Sequence, residues 1–162
     1  MIFKRLASFA FMLLVLSFPA FATMVSFLVV ETGIGEEIAS SQYSSLWEGA
    51  LMDVFFDAGH IVTNHPVARM QEKPGLELPD IIKIDFYEAL EGGAEYFLLG
   101  YLEYKNSEEI AVPVQITLKL YKLESRELIY ERIFPAGNGN NLNEDYQLAQ
   151  RAGQTIISRI KD

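Results

Sequence analysis

The segment from Val112 to Lys122 constrains the fold more than any other part of the sequence. Its even positions from 112 to 120 hold valine, isoleucine or leucine, and its odd positions from 115 onward hold Gln115, Thr117, Lys119 and Tyr121. Successive side chains of a strand point to opposite faces of a sheet. This period of two therefore predicts a strand with one face on the core and the other facing water.

Strand-like segments lie on both sides of this strand. Glu95–Tyr104 precedes it, with a turn at Asn106-Ser107, and Leu128–Phe134 follows it after a turn at residues 124–126. Short connections of this kind join neighbouring antiparallel strands. We therefore expect the three segments to form an antiparallel meander.

The N-terminal half alternates between strand and helix patterns. Met24–Glu31 is short and apolar on both faces, which is typical of a central strand. From Tyr43 to Ala58, apolar residues recur at spacings of three and one, which predicts a helix with one face on the core. Trp47 lies on that face and is interpreted as a core residue. Ile61–Thr63 is a second short strand.

The remaining segments complete the predicted order. Asn64–Pro79 is polar and contains several prolines, so we interpret it as a loop whose length indicates a mobile or functional segment. Helices are predicted over Asp80–Leu90 and from Asn141 or Asn143 to about Ile160. The order β-α-β-α-β-β-β-α predicts an α/β (α+β) fold, with a mixed five-stranded sheet and helices mainly on one face.

The N-terminus has the pattern of a secretory signal peptide. Lys4 and Arg5 precede an apolar run of about 13 residues, and a small-x-small site ends at Ala22. A retained membrane anchor is the alternative, although a spanning helix needs roughly 20 residues. We expect residues 1–22 to be removed and residues 23–162 to form a single domain with no stable membrane anchor after cleavage.

Charge and cysteine content limit the function classes. The net charge is −9, and it becomes −11 without Lys4 and Arg5. Such an acidic chain is poorly suited to binding nucleic acid, because that affinity depends on neutralising phosphates. The sequence has no cysteine, so it has no disulfide, thiolate metal site or lipid-attachment cysteine. Export without cysteine favours a bacterial periplasmic or secreted location.

The sequence contains no recognisable catalytic, cofactor-binding or metal-binding constellation. His60 and His65 are its only histidines, and their spacing to Asp57 and Glu72 fits no standard metal motif. We interpret the two histidines as solvated loop residues and expect no metal, no cofactor and no enzymatic activity.

The glycines, serines and acidic pairs are equally weak indications of a phosphate-binding or catalytic site. Gly33-Ile34-Gly35 lies where a phosphate loop would, but it lacks the third glycine and is followed by Glu36 and Glu37, so we interpret it as a turn. No nucleophile elbow surrounds the serines, and the paired glutamates are interpreted as solvated. These groups comprise Ser40, Ser41, Ser44, Ser45, Glu36/Glu37 and Glu108/Glu109.

The first meander strand is apolar on both faces, so one face must meet something besides a single helical layer. Either the last helix or neighbouring side chains cover it, or it forms a surface for a partner or a second copy. Aromatic residues with a polar tip suit such surfaces. The candidate residues of that partner surface are Phe97, Tyr101, Lys119 and Tyr121.

Three runs resemble a known group of exported bacterial envelope domains. They are residues 93–100 (Gly-Ala-Glu-Tyr-Phe-Leu-Leu-Gly), residues 114–121 and residues 126–129. The pattern is similar to that of the CsgG-like curli secretion family, the penicillin-binding-protein activator LpoB and the amino-terminal domain of TolB. The resemblance implies the same fold and a non-enzymatic role in binding or assembling envelope proteins. The missing lipid-attachment cysteine departs from CsgG and LpoB relatives.

Two functional hypotheses follow. The first is an exported, non-enzymatic envelope adaptor or assembly-accessory protein, which contacts an envelope partner or itself through the sheet face, an edge strand or the 64–79 loop. The second is a periplasmic small-ligand-binding protein, with a pocket between that loop and the turn at residues 33–35.

Overall fold

A computed structural model describes residues 22–34, 42–74, 78–104, 112–137 and 139–160. The signal peptide and several predicted features lie outside these residues, namely Gly35, Ser40, Ser41, Glu36/Glu37, Glu108/Glu109 and the turn at Asn106-Ser107. Within the described ranges, no helix is both long enough and apolar enough to cross a bilayer.

The described chain forms a mixed sheet with six strands and three helices. In chain order the elements are β1 (Met24–Thr32), α1 (Gln42–Asp57), β2 (Ile61–Asn64), β3 (Ala68–Met70), α2 (Asp80–Glu91), β4 (Tyr96–Tyr104), β5 (Pro113–Lys122), β6 (Glu127–Pro135) and α3 (Leu142–Ile157). The side chain of Asn141 accepts hydrogen bonds from the backbone N–H groups of Asn143 and Glu144, which identifies Asn141 as the cap of α3.

The strands lie in the order β2-β1-β4-β5-β6, and β3 pairs with the second half of β1. β1 is parallel to β2, β3 and β4, whereas β4, β5 and β6 form the predicted antiparallel meander. The predicted fold class and the central position of β1 are confirmed. The sixth strand is β3, which lies inside the segment interpreted as a loop.

The larger core lies between the sheet and the helices α1 and α3. Trp47 is fully buried there, and its indole N–H donates to the carbonyl of Ala136 at 3.2 Å. Phe27 of β1 meets Phe55 of α1 edge to face, with ring centroids 5.1 Å apart. The stripe predicted from the three-and-one spacing is therefore the face of α1 that packs on the sheet.

The opposite face of the sheet is covered by α2. Phe86 of α2 packs on Phe97 of β4 and on Tyr121 of β5, with ring centroids 5.4 and 5.9 Å apart. The prediction that one face of β5 meets water is therefore wrong, because Thr117, Lys119 and Tyr121 on that face are buried. On the other face Val114, predicted to be a core residue, is 48% exposed near the start of the strand.

We predict that the packing of Phe86 holds α2 on the sheet. Phe86→Ala should lower the free energy of unfolding by about 3–5 kcal/mol, because it leaves a cavity between two aromatic rings. Ile84→Ala is the matched control, since Ile84 is 60% exposed on the same helix and should change stability by about 0.5 kcal/mol or less. Urea denaturation measures both. Equal losses in the two variants would contradict the assignment of α2 to this face.

Candidate functional site

The four residues of the predicted partner surface do lie together, on the face of β4 and β5 that α2 covers. All four are buried: Phe97, Tyr101, Lys119 and Tyr121. The chain itself therefore covers this face, mainly with α2 rather than with the last helix. These side chains are not available to a partner in the described conformation, and replacing Tyr101 or Tyr121 by alanine would disturb the core.

Lys119, one of these four buried residues, forms an ion pair. The Lys119 ammonium nitrogen lies 3.4 Å from a carboxylate oxygen of Glu131 and 5.8 Å from the centre of the Tyr101 ring. Burial raises the pKa of Tyr121 to about 12, with a contribution from the Glu131 charge. Burial likewise raises the pKa of Tyr101. Both phenols are therefore neutral at physiological pH, which is consistent with a packing role.

A second polar group surrounds Glu31 at the carboxyl end of β1. Glu31 is fully buried and accepts a hydrogen bond from the Ser44 hydroxyl at the start of α1. Its other oxygen lies 2.8 Å from Nε of Arg69 in β3. The pairing of β1 with β3 places Glu31 directly opposite Arg69. A buried charge thus receives its counter-ion from the segment that the sequence suggested was a loop.

A third polar group surrounds Glu103, near the carboxyl end of β4. The Lys73 ammonium donates to Glu103 at 2.9 Å and to the Thr117 hydroxyl at 2.6 Å. The Gln115 amide and the Thr117 hydroxyl also donate to Glu103, at 2.9 and 3.2 Å. Burial acts to raise the pKa of Glu103, but these hydrogen bonds and the Lys73 charge outweigh it and hold the pKa below 4.5.

The histidines separate into two environments. His60 packs beside Phe55, with ring centroids 5.8 Å apart, and is not brought to His65. His65 Nδ1 lies 3.4 Å from Oδ1 of Asp85 and 3.9 Å from Oε2 of Glu88, both on α2. Burial raises the pKa of Asp85, and the Glu88 charge adds to that effect, while His65 opposes it. The expectation that both histidines are solvated is therefore wrong for His65, which is largely buried.

The polar groups around Glu31, Glu103 and His65 share one segment, which we name the clasp segment and define as residues 65–73. His65, Arg69 and Lys73 recur at every fourth residue of it, and each meets carboxylates of a different element: α2, β1 and β4 respectively. The Gly33 N–H also donates to the carbonyl of Gln71 at 3.1 Å. Within the segment predicted to be a loop, residues 65–73 therefore lie across the carboxyl ends of the parallel strands.

The glycine in the turn after β1 is explained by the path of the backbone, without a phosphate ligand. Gly33 has φ +76°, and a Cβ at this position would lie 2.7 Å from the carbonyl oxygen of Tyr104. A residue with a side chain would be both strained and too close, which explains the glycine. The Ser44 hydroxyl donates a hydrogen bond to Glu31, and Ser45 is exposed on α1.

The structure has a cleft beside Leu78. The pocket predicted from the sequence was at a different place, beside the turn at residues 33–35. The cleft has a volume of about 410 Å³ and is lined by Leu78, Lys83, Phe86, Tyr87 and Arg126. The Arg126 guanidinium sits over the Tyr87 ring, 5.1 Å from its centre. Two cations and two aromatic rings thus face a space between α2 and the turn that joins β5 to β6.

The exposed edge of the sheet is β6. Of the described strands, β6 pairs only with β5, and two of its apolar side chains are in solvent: Leu128 is 40% and Ile133 is 55% exposed. The opposite edge is formed by β2 and β3, which have four and three residues. One edge is therefore long and apolar in places, whereas the other is short and interrupted.

The sequence did not single out Arg69, Lys73, Asp85 or Glu88. The alternation in Val67-Ala68-Arg69-Met70 is the only local signal for β3, and three residues are too few to be distinctive. The carboxylates lie on other elements, 30 or more residues away from Arg69 and Lys73. No spacing rule connects such positions before the fold is known.

Comparisons with known proteins give one family and remote structural likenesses. A family model described as "Uncharacterised protein" matches residues 24–161, and no curated protein matches the sequence. Among solved structures, the PelC dodecamer from Paraburkholderia phytofirmans is 16% identical, with a TM-score of 0.47, over 82% of this chain and 87% of that one.

Two of the groups named from the sequence are also among the matched structures. The LpoB C-terminal domain from Escherichia coli is 12% identical, with a TM-score of 0.42, over 75% of this chain and 88% of that one. TolB from Acinetobacter baumannii is 11% identical, with a TM-score of 0.42, over 87% of this chain and 28% of that one. At these values the likenesses are remote. The resemblance to the CsgG-like family stays a prediction.

We predict that Arg69→Met is severely destabilising. It would leave the Glu31 carboxylate buried without the guanidinium, which costs about 3–5 kcal/mol when one partner of a buried pair is removed. Arg151→Met removes an exposed arginine of α3 and should cost about 0.5 kcal/mol or less. Urea denaturation at neutral pH compares the two variants. A small loss for Arg69→Met would show that Glu31 does not depend on the clasp segment.

We also predict a specific acid sensitivity. Because the pKa of Glu103 is lower in the folded state than its ordinary value of 4.5, the unfolded chain binds more protons between the two values. The contribution of Glu103 is therefore present above pH 4.5 and is lost as the pH falls through the folded-state pKa. Glu103→Gln should flatten this part of the stability curve, measured by urea denaturation between pH 7 and pH 3. An unchanged curve would refute the assignment.

Proposed function

This chain belongs to a family of uncharacterised proteins, and because that membership assigns no activity, we propose a function from its own exposed features. The proposed function is that of an exported, non-enzymatic accessory protein of the bacterial envelope, which acts by protein–protein contact. The partner is another envelope protein or a second copy of the chain. The signal-peptide pattern before Ala22 supports export, and the excess of acidic residues argues against a nucleic-acid partner.

The observation that carries this proposal is the free edge of β6. The sequence is compatible with three contact surfaces: a sheet face, an edge strand and the 64–79 loop. Helices cover both faces, and the clasp segment is held by its own ion pairs. A long edge strand remains, with backbone groups to which another chain can add a strand.

The register shows which backbone groups of β6 point outward. The Ala136 N–H donates to the carbonyl of Val114, its partner position in β5. In an antiparallel ladder the bonded positions alternate with positions whose N–H and C=O point away. Ile133 and Glu131 therefore direct their backbone groups away from β5. Ile133 combines a free backbone edge with an exposed apolar side chain.

A second candidate function rests on the cleft beside α2. The Arg126 guanidinium would attract an anionic group, and Phe86 and Tyr87 offer an apolar wall. A small anionic ligand with an apolar part would suit this lining. The candidate corresponds to the small-ligand hypothesis, at a different place from the pocket expected beside Gly33.

We predict that Ile133→Pro abolishes partner contact without unfolding the protein. Proline removes the outward N–H, and proline is tolerated on edge strands because that N–H is not used by the sheet. Ile133→Thr is the matched control, since it removes apolar surface but keeps the N–H. Each full-length variant is purified from the periplasmic fraction of the producing cells, and co-purified proteins are quantified.

The expected result is an envelope protein that co-purifies with the wild type and with Ile133→Thr, and about tenfold less with Ile133→Pro. If self-association is the contact, sedimentation velocity shows the same order of effects. Equal recovery with both variants would contradict a role for β6. A bound small molecule in native mass spectrometry, with no protein partner, would favour the cleft instead.

A further inference from the structure

The structure brings His65 to two carboxylates, those of Asp85 and Glu88, that lie 20 or more residues later in the sequence. His65 follows the last residue of β2, and its backbone N–H donates to the Phe27 carbonyl at 2.9 Å. Its ring packs against Phe97, with ring centroids 5.9 Å apart. Asp85 and Glu88 lie three residues apart on α2, so both carboxylates project from the same side of that helix. The imidazole is thus fixed from behind and faces two carboxylates.

The distances between the donor atoms suit a small divalent ion. His65 Nδ1 is 3.4 Å from Asp85 Oδ1 and 3.9 Å from Glu88 Oε2, and each of the three residues offers a ligand atom within 4.8 Å of those of the other two. Ligands that bind Zn²⁺ at about 2.0–2.2 Å in a tetrahedron are separated by roughly 3.3–3.6 Å. Small rotations of the exposed Glu88 side chain would complete the triangle.

The charges of this group differ from those of the rest of the clasp segment. Arg69 and Lys73 each meet one carboxylate, whereas His65 faces two. Asp85 is only 19% exposed, so its charge is poorly screened by water. A divalent cation between the three groups would balance both carboxylates and would leave the imidazole as a neutral ligand.

We propose that His65, Asp85 and Glu88 form a binding site for one divalent transition-metal ion. The imidazole favours Zn²⁺ and similar ions over Mg²⁺ and Ca²⁺, which prefer sites made only of oxygen ligands. Glu88 is 65% exposed, so the ion has a path from solvent and keeps one or more positions for water. Bound metal ties the start of the clasp segment to α2. This proposal does not rest on the function proposed above.

The first test is calorimetric titration of the purified full-length chain, freed of metal with EDTA, with ZnCl₂. We expect one ion per chain, and the affinity should fall by about tenfold or more in Glu88→Gln and in His65→Gln. Glu91→Gln removes a neighbouring carboxylate of α2, and His60→Gln removes the other imidazole. Both controls should bind as the wild type does. Because Glu88 is mostly exposed, Glu88→Gln should fold normally.

The second test measures thermal unfolding with ZnCl₂ at about a hundredfold excess over the dissociation constant. The wild type should gain about 5–10 °C, MgCl₂ should give little change, and Asp85→Asn should lose the gain. Absence of one-to-one binding, or equal binding by the wild type and Glu88→Gln, would overturn the proposal. Loss of binding in His60→Gln rather than His65→Gln would place the metal elsewhere and would also overturn it.

Discussion

The buried carboxylate of Glu31 is the constraint that determines how the chain is arranged at the carboxyl ends of the parallel strands. It lies in β1, between β3 and β4, where the ladders on both sides keep the strand in place. An ionised carboxylate in such a place costs several kcal/mol unless a counter-ion and hydrogen bonds reach it. Arg69 and Ser44 supply both. The chain must therefore bring Arg69 back to β1, and β3 is the strand that does so.

The path of the clasp segment follows from that requirement. With Arg69 placed beside Glu31, His65 lies four residues before it and Lys73 four residues after it. Lys73 then reaches Glu103 and Thr117, and His65 reaches the carboxylates of α2. In a chain with a net charge of −9, these contacts place scarce cations where acidic residues of three elements converge. Charge pairing thus adds to the packing of Val67, Ala68 and Met70 on the two cores.

The fold was predictable where a pattern is local. Alternation gave β5, the three-and-one spacing gave α1, and short connections gave the meander. The role of α2 was not predictable in the same way, because Thr117, Lys119 and Tyr121 read as solvent-facing in a strand considered alone. They are buried because Phe86 and its neighbours return to that face from 30 residues earlier, and because Glu131 neutralises Lys119. The strand was therefore predicted correctly, but tertiary packing decided which of its faces are buried.

The candidate sites differ in the same way in how far the sequence could predict them. Ion pairs such as Arg69 with Glu31 depend on register between distant strands, so no local pattern could reveal them. The edge strand could be predicted from the sequence, because the last strand of a meander has one neighbour unless the chain adds another. The structure adds β3 at the opposite edge, where it extends the short β2 past Pro66 and leaves little continuous backbone exposed. We therefore assign the proposed strand addition to β6, where Ile133 is in solvent.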